Sequence, residues 1–283
     1  MRERIDLNKI KPSGSLKYLY SAMGRPILRI CSSRWAANLY ASHLNSRFSK
    51  RKIKKFIKKN GIDMSEYKQV KYRSFNSFFT REIRPECRPV DKDRQSLVSP
   101  CDGKLTVFNI DENSTFRVKG FDYSLNTLLR NEKLASEYDG GICLIFRLTV
   151  TDYHRYIFFD GGTAEDSVFI KGRLHTVQHA ALEKRKVFTE NCREYTLLHT
   201  ENFGDALQVE VGAMFVGRIS NHDKKQFGRG EEKGYFEFGG STIMLILKRG
   251  AAVIDEEIFE NTRRGFETVV KCGERIGRTE GIK

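Results

Sequence analysis

The stretch GYFEFGGSTIMLILK, residues 234–248, places two glycines between two apolar runs of strand length. Glycine inside a strand weakens the strand and often marks a bend, a bulge or a close approach of two backbones. Because Ser241 and Thr242 follow directly, the stretch is typical of a tight turn with a polar exit. A second interpretation is that Gly240, which has no Cβ, leaves its carbonyl open to attack by the Ser241 hydroxyl. The residues alone leave both interpretations open.

Short apolar runs separated by Gly, Asp and Asn surround this stretch from residue 90 onward. The run LQVEV, residues 207–211, alternates apolar and polar side chains, which predicts a strand with one buried face. One helix is predicted among the strands, over residues 124–138. The chain after Pro89 is therefore expected to form a mainly β domain.

The residues before this region predict helices. Apolar side chains recur at three- and four-residue steps over 16–48, where Pro26 would kink or divide the helix. A second helix is predicted over 50–60 with Ser49 as its N-cap and an Asn-Gly stop, and a third over 74–84. The fold class is therefore α+β, mainly β, with amphipathic helices at the N-terminus.

The charge balance points to a polyanionic partner. The 283 residues carry a net charge of +14, which suits nucleic acid or an anionic lipid surface. Seven Lys and Arg residues lie on the 50–60 helix and its approach, typical either of a membrane-surface helix or of a solvated charged face packed on its own domain.

Several classes of protein are disfavoured by what the sequence lacks. No run approaches the ~20 apolar residues that cross a bilayer, and the N-terminus has no apolar stretch of signal-peptide length. The six cysteines form no CxxC pair, which argues against a metal site and predicts reduced thiols. The sequence contains no dinucleotide-binding GxGxxG, P-loop, GxSxG or HExxH motif.

Seven segments, in order, resemble the phosphatidylserine decarboxylase family in its GGST branch. They are SFNSFFTREIRPECRPV (74–90), SPCDGKL (99–105), VKGFDYSLNTLL (118–129), TDYHRY (151–156), ENCREYTLL (190–198), VGAMFVGRI (211–219) and RGEEKGYFEFGGSTI (229–243). One such motif would be a weak signal, whereas the ordered series is specific.

The resemblance implies self-cleavage between Gly240 and Ser241. The products would be a β chain of residues 1–240 and an α chain of residues 241–283, with Ser241 converted to a covalent pyruvoyl group. The pyruvoyl cofactor would form a Schiff base with the amine of phosphatidylserine. The enzyme would thus be a carboxy-lyase that makes phosphatidylethanolamine.

The resemblance also implies a relay that activates the Ser241 hydroxyl. Its acid is Asp102, in the family's SPxDG motif, and its histidine is His154. The family commonly carries a second histidine three residues later, where this chain has Ile157. Either His154 serves both self-cleavage and decarboxylation, or His175 supplies the missing imidazole; His179 is a lesser candidate.

The family's fold implies a helical membrane-association segment over residues 1–70 and a catalytic domain over 71–283. We therefore expect a peripheral protein at the cytoplasmic face of the cell membrane, binding phosphatidylserine in an anionic bilayer. Its own cleaved α and β chains are the expected protein partners, a homodimer is left open, and neither nucleic acid nor metal is expected.

Two alternatives compete with this interpretation. One is a pyruvoyl decarboxylase that acts on a soluble amino acid, which the basic amphipathic N-terminus disfavours. The other is a non-catalytic lipid- or nucleic-acid-binding protein that keeps the fold, which Ile157 alone favours.

Overall fold

The structure is a computed structural model and describes residues 1–11, 13–214, 218–239 and 241–280. The strands are β1 Arg4–Asp6, β2 Ser96–Val98, β3 Gly103–Asn109, β4 Thr115–Val118, β5 Phe121–Ser124, β6 Ile142–Leu148, β7 Arg155–Ile157, β8 Gly162–Ala164, β9 Val168–Ile170, β10 Arg193–Thr200, β11 Gly204–Val211, β12 Ile219–Asn221, β13 Gln226–Phe227, β14 Glu232–Phe236, β15 Ser241–Leu247, β16 Ala252–Ile254, β17 Phe266–Val270 and β18 Arg275–Thr279.

The α-helices are shorter and mostly lie outside the sheets. They are α1 Gly14–Leu19, α2 Arg25–Cys31, α3 Arg34–Asn45, α4 Ile53–Asn60, α5 Phe75–Phe79, α6 Leu125–Leu129, α7 Glu132–Ser136, α8 His179–Leu182, α9 Val187–Glu190 and α10 Glu256–Arg263. None of the described helices is long and apolar enough to cross a membrane. The expected mainly β, α+β fold is confirmed.

The main sheet is antiparallel and runs in the order β1-β17-β3-β6-β15-β11-β10-β8-β13, with β9 also paired to β10. β15 lies between β6 and β11, and each of its seven residues is buried. Because neighbouring strands satisfy its backbone groups on both edges, the apolar run STIMLIL can occupy the centre of the sheet. Ser241 therefore opens a central strand of the core.

The expected one-faced strand at 207–211 is wrong, since both faces of β11 are buried. The reason is that β12 and β14, members of a second sheet, cover its polar face. Lys233 Nζ of β14 bonds Glu210 Oε1 at 2.9 Å, and Asn221 of β12 donates to the same carboxylate at 3.2 Å. Polar alternation here reflects a buried ion pair and not contact with water.

The predicted helix over 16–48 is divided into α1, α2 and α3. Pro26 lies in the first turn of α2, where a missing N–H costs nothing, and Ser33 caps α3 by accepting from Ala36 N at 3.2 Å. The chain before these helices is not helical throughout, because β1 pairs with β17 and joins the main sheet.

Three further predicted helix boundaries shift. The helix over 50–60 begins at Ile53, because the Ser49 Oγ is used elsewhere: it donates to Leu44 O and accepts from Phe75 N, both at 2.8 Å. The helix predicted over 74–84 is capped by Ser74 but ends at Phe79. The 124–138 helix breaks at Arg130, which takes a left-handed conformation.

Candidate active site

Ser241 is a buried hydroxyl without a partner. It pairs with Leu148 of β6, is 0% exposed, and its Oγ has no hydrogen bond within the described part of the chain. A buried polar atom left unpaired costs about 1–3 kcal/mol, so native proteins keep few of them. Ser241 thus meets the requirement for a nucleophile that is free to react.

The backbone before Ser241 needs glycine. Gly239 has φ of 145°, a conformation that residues with a Cβ rarely adopt. Gly240, on the other side of the expected scissile bond, lies outside the described residues, so the cleavage position itself stays a prediction. The main chain therefore takes an unusual conformation at Gly239, two residues before Ser241.

His154 lies beside the backbone of Gly239. Its ring is 1% exposed and packs on Phe79 with centroids 4.2 Å apart. Burial lowers the pKa of His154 to about 4, although the Asp152 carbonyl and the backbone of Gly239 oppose that shift. The ring is therefore neutral near pH 7.

The hydrogen bond between His154 and the Asp152 carbonyl indicates the tautomer of the ring. Nδ1 lies 2.9 Å from the Asp152 carbonyl, which only accepts, so Nδ1 carries the proton. Nε2 keeps a lone pair and has no partner among the described residues. This is the form that accepts a proton from a hydroxyl.

The segment that carries His154 is anchored by Asp152. Its carboxylate accepts from Lys104 Nζ at 2.6 and 2.7 Å and from Thr149 N at 2.6 Å. Although burial opposes it, Lys104 lowers the pKa of Asp152 and keeps the carboxylate charged. The histidine is thus held by a fixed loop.

Asp102 is engaged elsewhere. Its oxygens accept from Arg88 Nε and Nη2 at 2.8 and 2.7 Å, and Oδ1 also accepts from Cys272 N at 2.8 Å. Burial lowers the pKa of Arg88, but the bonds to Asp102 outweigh it and raise that pKa overall. No hydrogen bond joins Asp102 to His154 in the residues described.

Position 157 contacts the loop of Asp102. Ile157 N donates to the carbonyl of Pro100 at 2.8 Å, so position 157 lies beside the loop that carries Asp102. Ile157 is itself buried, at 9% exposure. The structure therefore places the position of the family's usual second histidine next to the Asp102 segment.

A cavity of about 450 Å³ ends at the turn before Ser241. Its walls include Phe238, Gly239 and residues 147–150 of β6 and the loop after it. The polar side chains on its lining include Lys11, Lys104, Arg147 and His179. The volume suits a small polar group beside the expected cleavage site.

The two lesser histidine candidates separate in space. His175 Nδ1 lies 3.4 Å from Tyr20 Oη and its Nε2 lies 3.3 Å from Glu190 Oε2, in a different cavity. His179 lines the cavity that reaches Gly239. Sequence position alone could not distinguish them.

Sequence reasoning missed several partners in this region. Arg88, Lys104 and Glu267 hold Asp102, Asp152 and Arg147 respectively, and no local motif marks them. Among the described residues, no cluster of three or more His, Cys, Asp or Glu side chains could hold a metal, and all six cysteines are free thiols.

Comparison with known proteins identifies the class. Residues 75–278 match the phosphatidylserine decarboxylase family. The chain is 47% identical over 269 residues to a phosphatidylserine decarboxylase proenzyme 2 of Clostridium acetobutylicum, covering 94% of this chain and 92% of that protein. It is 42% identical over 280 residues to a phosphatidylserine decarboxylase proenzyme of Clostridium botulinum strain 657, covering 96% and 95%.

These matches define a decarboxylase of the carboxy-lyase class. The chain belongs to the phosphatidylserine decarboxylase family.

Proposed function

We propose that this chain cuts itself between Gly240 and Ser241, converts Ser241 to a pyruvoyl group, and decarboxylates phosphatidylserine to phosphatidylethanolamine. The observation that carries the proposal is a pair of buried atoms without hydrogen-bond partners in the described chain, Ser241 Oγ and His154 Nε2, with the His154 ring beside the backbone of Gly239, two residues before Ser241. The proenzyme names of the relatives support processing of the chain.

Self-cleavage begins with proton transfer from Ser241 Oγ to His154 Nε2. Oγ then bonds to the Gly240 carbonyl carbon, and the peptide C–N bond breaks as the nitrogen takes up a proton. Loss of the Ser241 Cα proton expels Gly240 as a carboxylate and leaves dehydroalanine. One water hydrolyses that residue to the pyruvoyl group and ammonia.

The surroundings of Ser241 fit a pyruvoyl group. The hydroxyl makes no bond that conversion would break, and the site lies at the end of a cavity and at the start of a rigid strand. Once formed, the pyruvoyl carbonyl would condense with the substrate amine and accept the electron pair released with CO₂. His154 stays beside it as a neutral base whose Nε2 can take and return a proton.

We assign Asp102 a supporting role. Its bonds to Arg88 and Cys272 fix the loop whose Pro100 carbonyl holds β7 through Ile157 N. The backbone carbonyl of Asp152 orients His154, a task that a carboxylate performs in a serine-His-Asp arrangement. On this proposal one imidazole serves self-cleavage without a carboxylate partner.

The N-terminal residues support a membrane-bound substrate. Seven large apolar side chains between residues 18 and 48, here named the apolar row, are at least 47% exposed: Tyr18, Met23, Ile27, Ile30, Trp35, Leu39 and Phe48. Large exposed apolar side chains concentrated in one segment of the chain favour an interaction surface there. We propose that the apolar row enters the interface of an anionic bilayer, at the cytoplasmic face.

The basic helix α4 contributes positive charge to membrane binding and does not itself insert into the bilayer. Its apolar residues Ile53, Phe56 and Ile57 pack against Phe75 and Phe78 of the protein itself. Its lysines stay exposed. We propose that they draw the protein to anionic lipid.

The first test is a denaturing gel with mass spectrometry. We expect the purified 32.7 kDa chain to split, with a pyruvoyl-blocked fragment that starts at position 241. Vesicles of phosphatidylserine should release CO₂, and free serine should not. A single band near the full mass contradicts self-cleavage, and equal action on free serine favours a soluble amino acid decarboxylase.

A further inference from the structure

His179 is a second buried imidazole that the proposed reaction has not used. It opens α8 and is 5% exposed. Neither ring nitrogen has a hydrogen-bond partner among the described residues. Such an atom calls for a specific explanation, because burial has removed water without supplying a replacement.

The neighbours of His179 are charged and fixed. Its Nε2 lies 3.8 Å from Glu267 Oε1. Glu267 accepts from Arg147 Nε and Nη2 at 2.8 and 2.5 Å. Although burial opposes it, these bonds and the approach of His179 lower the pKa of Glu267 to about 2. With Nε2 turned to this carboxylate, Nδ1 is the nitrogen left for a ligand.

Two of the cations in the cavity are already neutralised. Arg147 is paired with Glu267, and Lys104 with Asp152. His179 and Lys11 line the same cavity, and neither has a hydrogen bond from its side chain in the described part of the chain. Neither side chain therefore has a hydrogen bond to lose when an anion enters.

We propose that His179 is a substrate-positioning residue whose ring donates a hydrogen bond to the phosphodiester of a phospholipid headgroup in the cavity that ends at Gly239. The proposal rests on the proposed function and adds a residue to its substrate site. Lys11, at the exposed side of the cavity, would supply a positive charge to the same phosphate.

The phosphate is the better partner than the carboxylate. A cation bound to the substrate carboxylate would stabilise a negative charge that must move off the carboxylate as neutral CO₂ leaves, which strengthens ground-state binding and slows the reaction. The phosphate keeps its charge throughout, so holding it orients the headgroup at no such cost. The contact should therefore serve substrate and product headgroups alike.

Binding can be measured without the cofactor. In the uncut S241A chain, we expect calorimetry to show that glycerophosphoserine and glycerophosphoethanolamine both bind, and that H179A weakens both at least about tenfold, the usual effect of losing a hydrogen bond to a charged group. H175Q, in the neighbouring segment but outside this cavity, is the matched control and should bind like its parent.

The outcomes are distinct. Equal binding by S241A and S241A/H179A, or no binding by S241A, overturns the proposal. A loss confined to the serine-containing ligand overturns the phosphate assignment. Absence of decarboxylation by the parent enzyme would contradict the proposed function and leave the calorimetric result as it stands.

The cleaving enzyme gives a second readout. We expect H179A to process itself fully, with KM for dispersed phosphatidylserine raised about tenfold and kcat within about twofold. H179Q, which keeps a donor, should recover part of the loss in KM. A fall in kcat with unchanged KM contradicts a positioning role.

Discussion

The start of β15 buries polar groups that usually contact water, whereas the apolar row exposes side chains that are usually buried. Around Ser241, hydroxyl and imidazole groups lie in the core without partners in the described chain. Between residues 18 and 48, side chains as large as Trp35, 70% exposed, face water. Both arrangements cost stability, so each is explained best by something that the isolated chain lacks.

The difference indicates that the two regions have separate roles, one in the chemical step and one in membrane binding. The polar atoms at β15 lie in a rigid sheet, and a chemical step needs such fixed geometry. The apolar row lies on short helices outside that sheet, where a broad surface is enough to meet a bilayer. Substitutions in one region should therefore leave the role of the other region unchanged.

The largest effect is expected from S241A. Without Oγ no ester can form, so cleavage and decarboxylation should fall to background, as read by gel and by CO₂ release. T242V removes the neighbouring buried hydroxyl, which is equally without a partner in the described residues, and should still cleave. Fragments from S241A would show that the nucleophile lies elsewhere.

H154Q is expected to slow self-cleavage by about 10²–10⁴-fold, the usual contribution of a general base. The rate should be read from pulse-labelled cell-free synthesis. Because the pKa of His154 is about 4, acid removes the base only below that range. The parent rate should stay flat from pH 8 to 6 and halve near pH 4; a midpoint near 6.5 would contradict a desolvated His154.

D102N tests whether Asp102 supports the loop or acts in a relay. Removing one partner of a buried ion pair costs about 3–5 kcal/mol, so denaturant melts of the uncut S241A chain should show this loss. The matched control is D122N, whose pair with Arg117 is exposed on both sides, 71% and 66%, and should cost less than about 1 kcal/mol.

R88Q completes that test. If Asp102 supports the loop, R88Q and D102N should destabilise the chain alike, and cleavage should decline with folding. A D102N chain that stays folded but does not cleave would restore Asp102 to the relay that the sequence predicts.

Features that depend on residues close together in the sequence could be predicted, whereas contacts between distant residues could not. The central strand could be predicted because seven consecutive residues, 241–247, suit a buried position, and the nucleophile followed from ordered motifs. Arg88 with Asp102, 14 residues apart, and Arg147 with Glu267, 120 apart, could not, because tertiary packing brings each pair together.

Local patterns also failed where packing overrode them. Glu210, in the run 207–211, can be buried because another sheet supplies Lys233 as its partner. Arg130 ends its helix in a left-handed conformation that its residue type does not signal. His179 could not be preferred over His175, since only the cavity beside Gly239 separates them.

The smallest effect is expected at the apolar row. W35S/F48S removes two aromatic rings that are 70% and 75% exposed, each contributing up to about 1.5–3 kcal/mol if fully buried in lipid. Insertion at an interface is partial, so sedimentation with anionic vesicles should weaken about tenfold.

V253S, on β16, changes an apolar residue that is 43% exposed and lies outside the row, and it serves as the control. W35S/F48S should still cleave itself, because neither side chain belongs to the cluster that packs around Phe75 and Phe78. Its turnover should fall on vesicles and be spared with short-chain phosphatidylserine dispersed as monomers. Equal losses on both substrates would place these rings in the support of the active site and remove the contrast between the two regions.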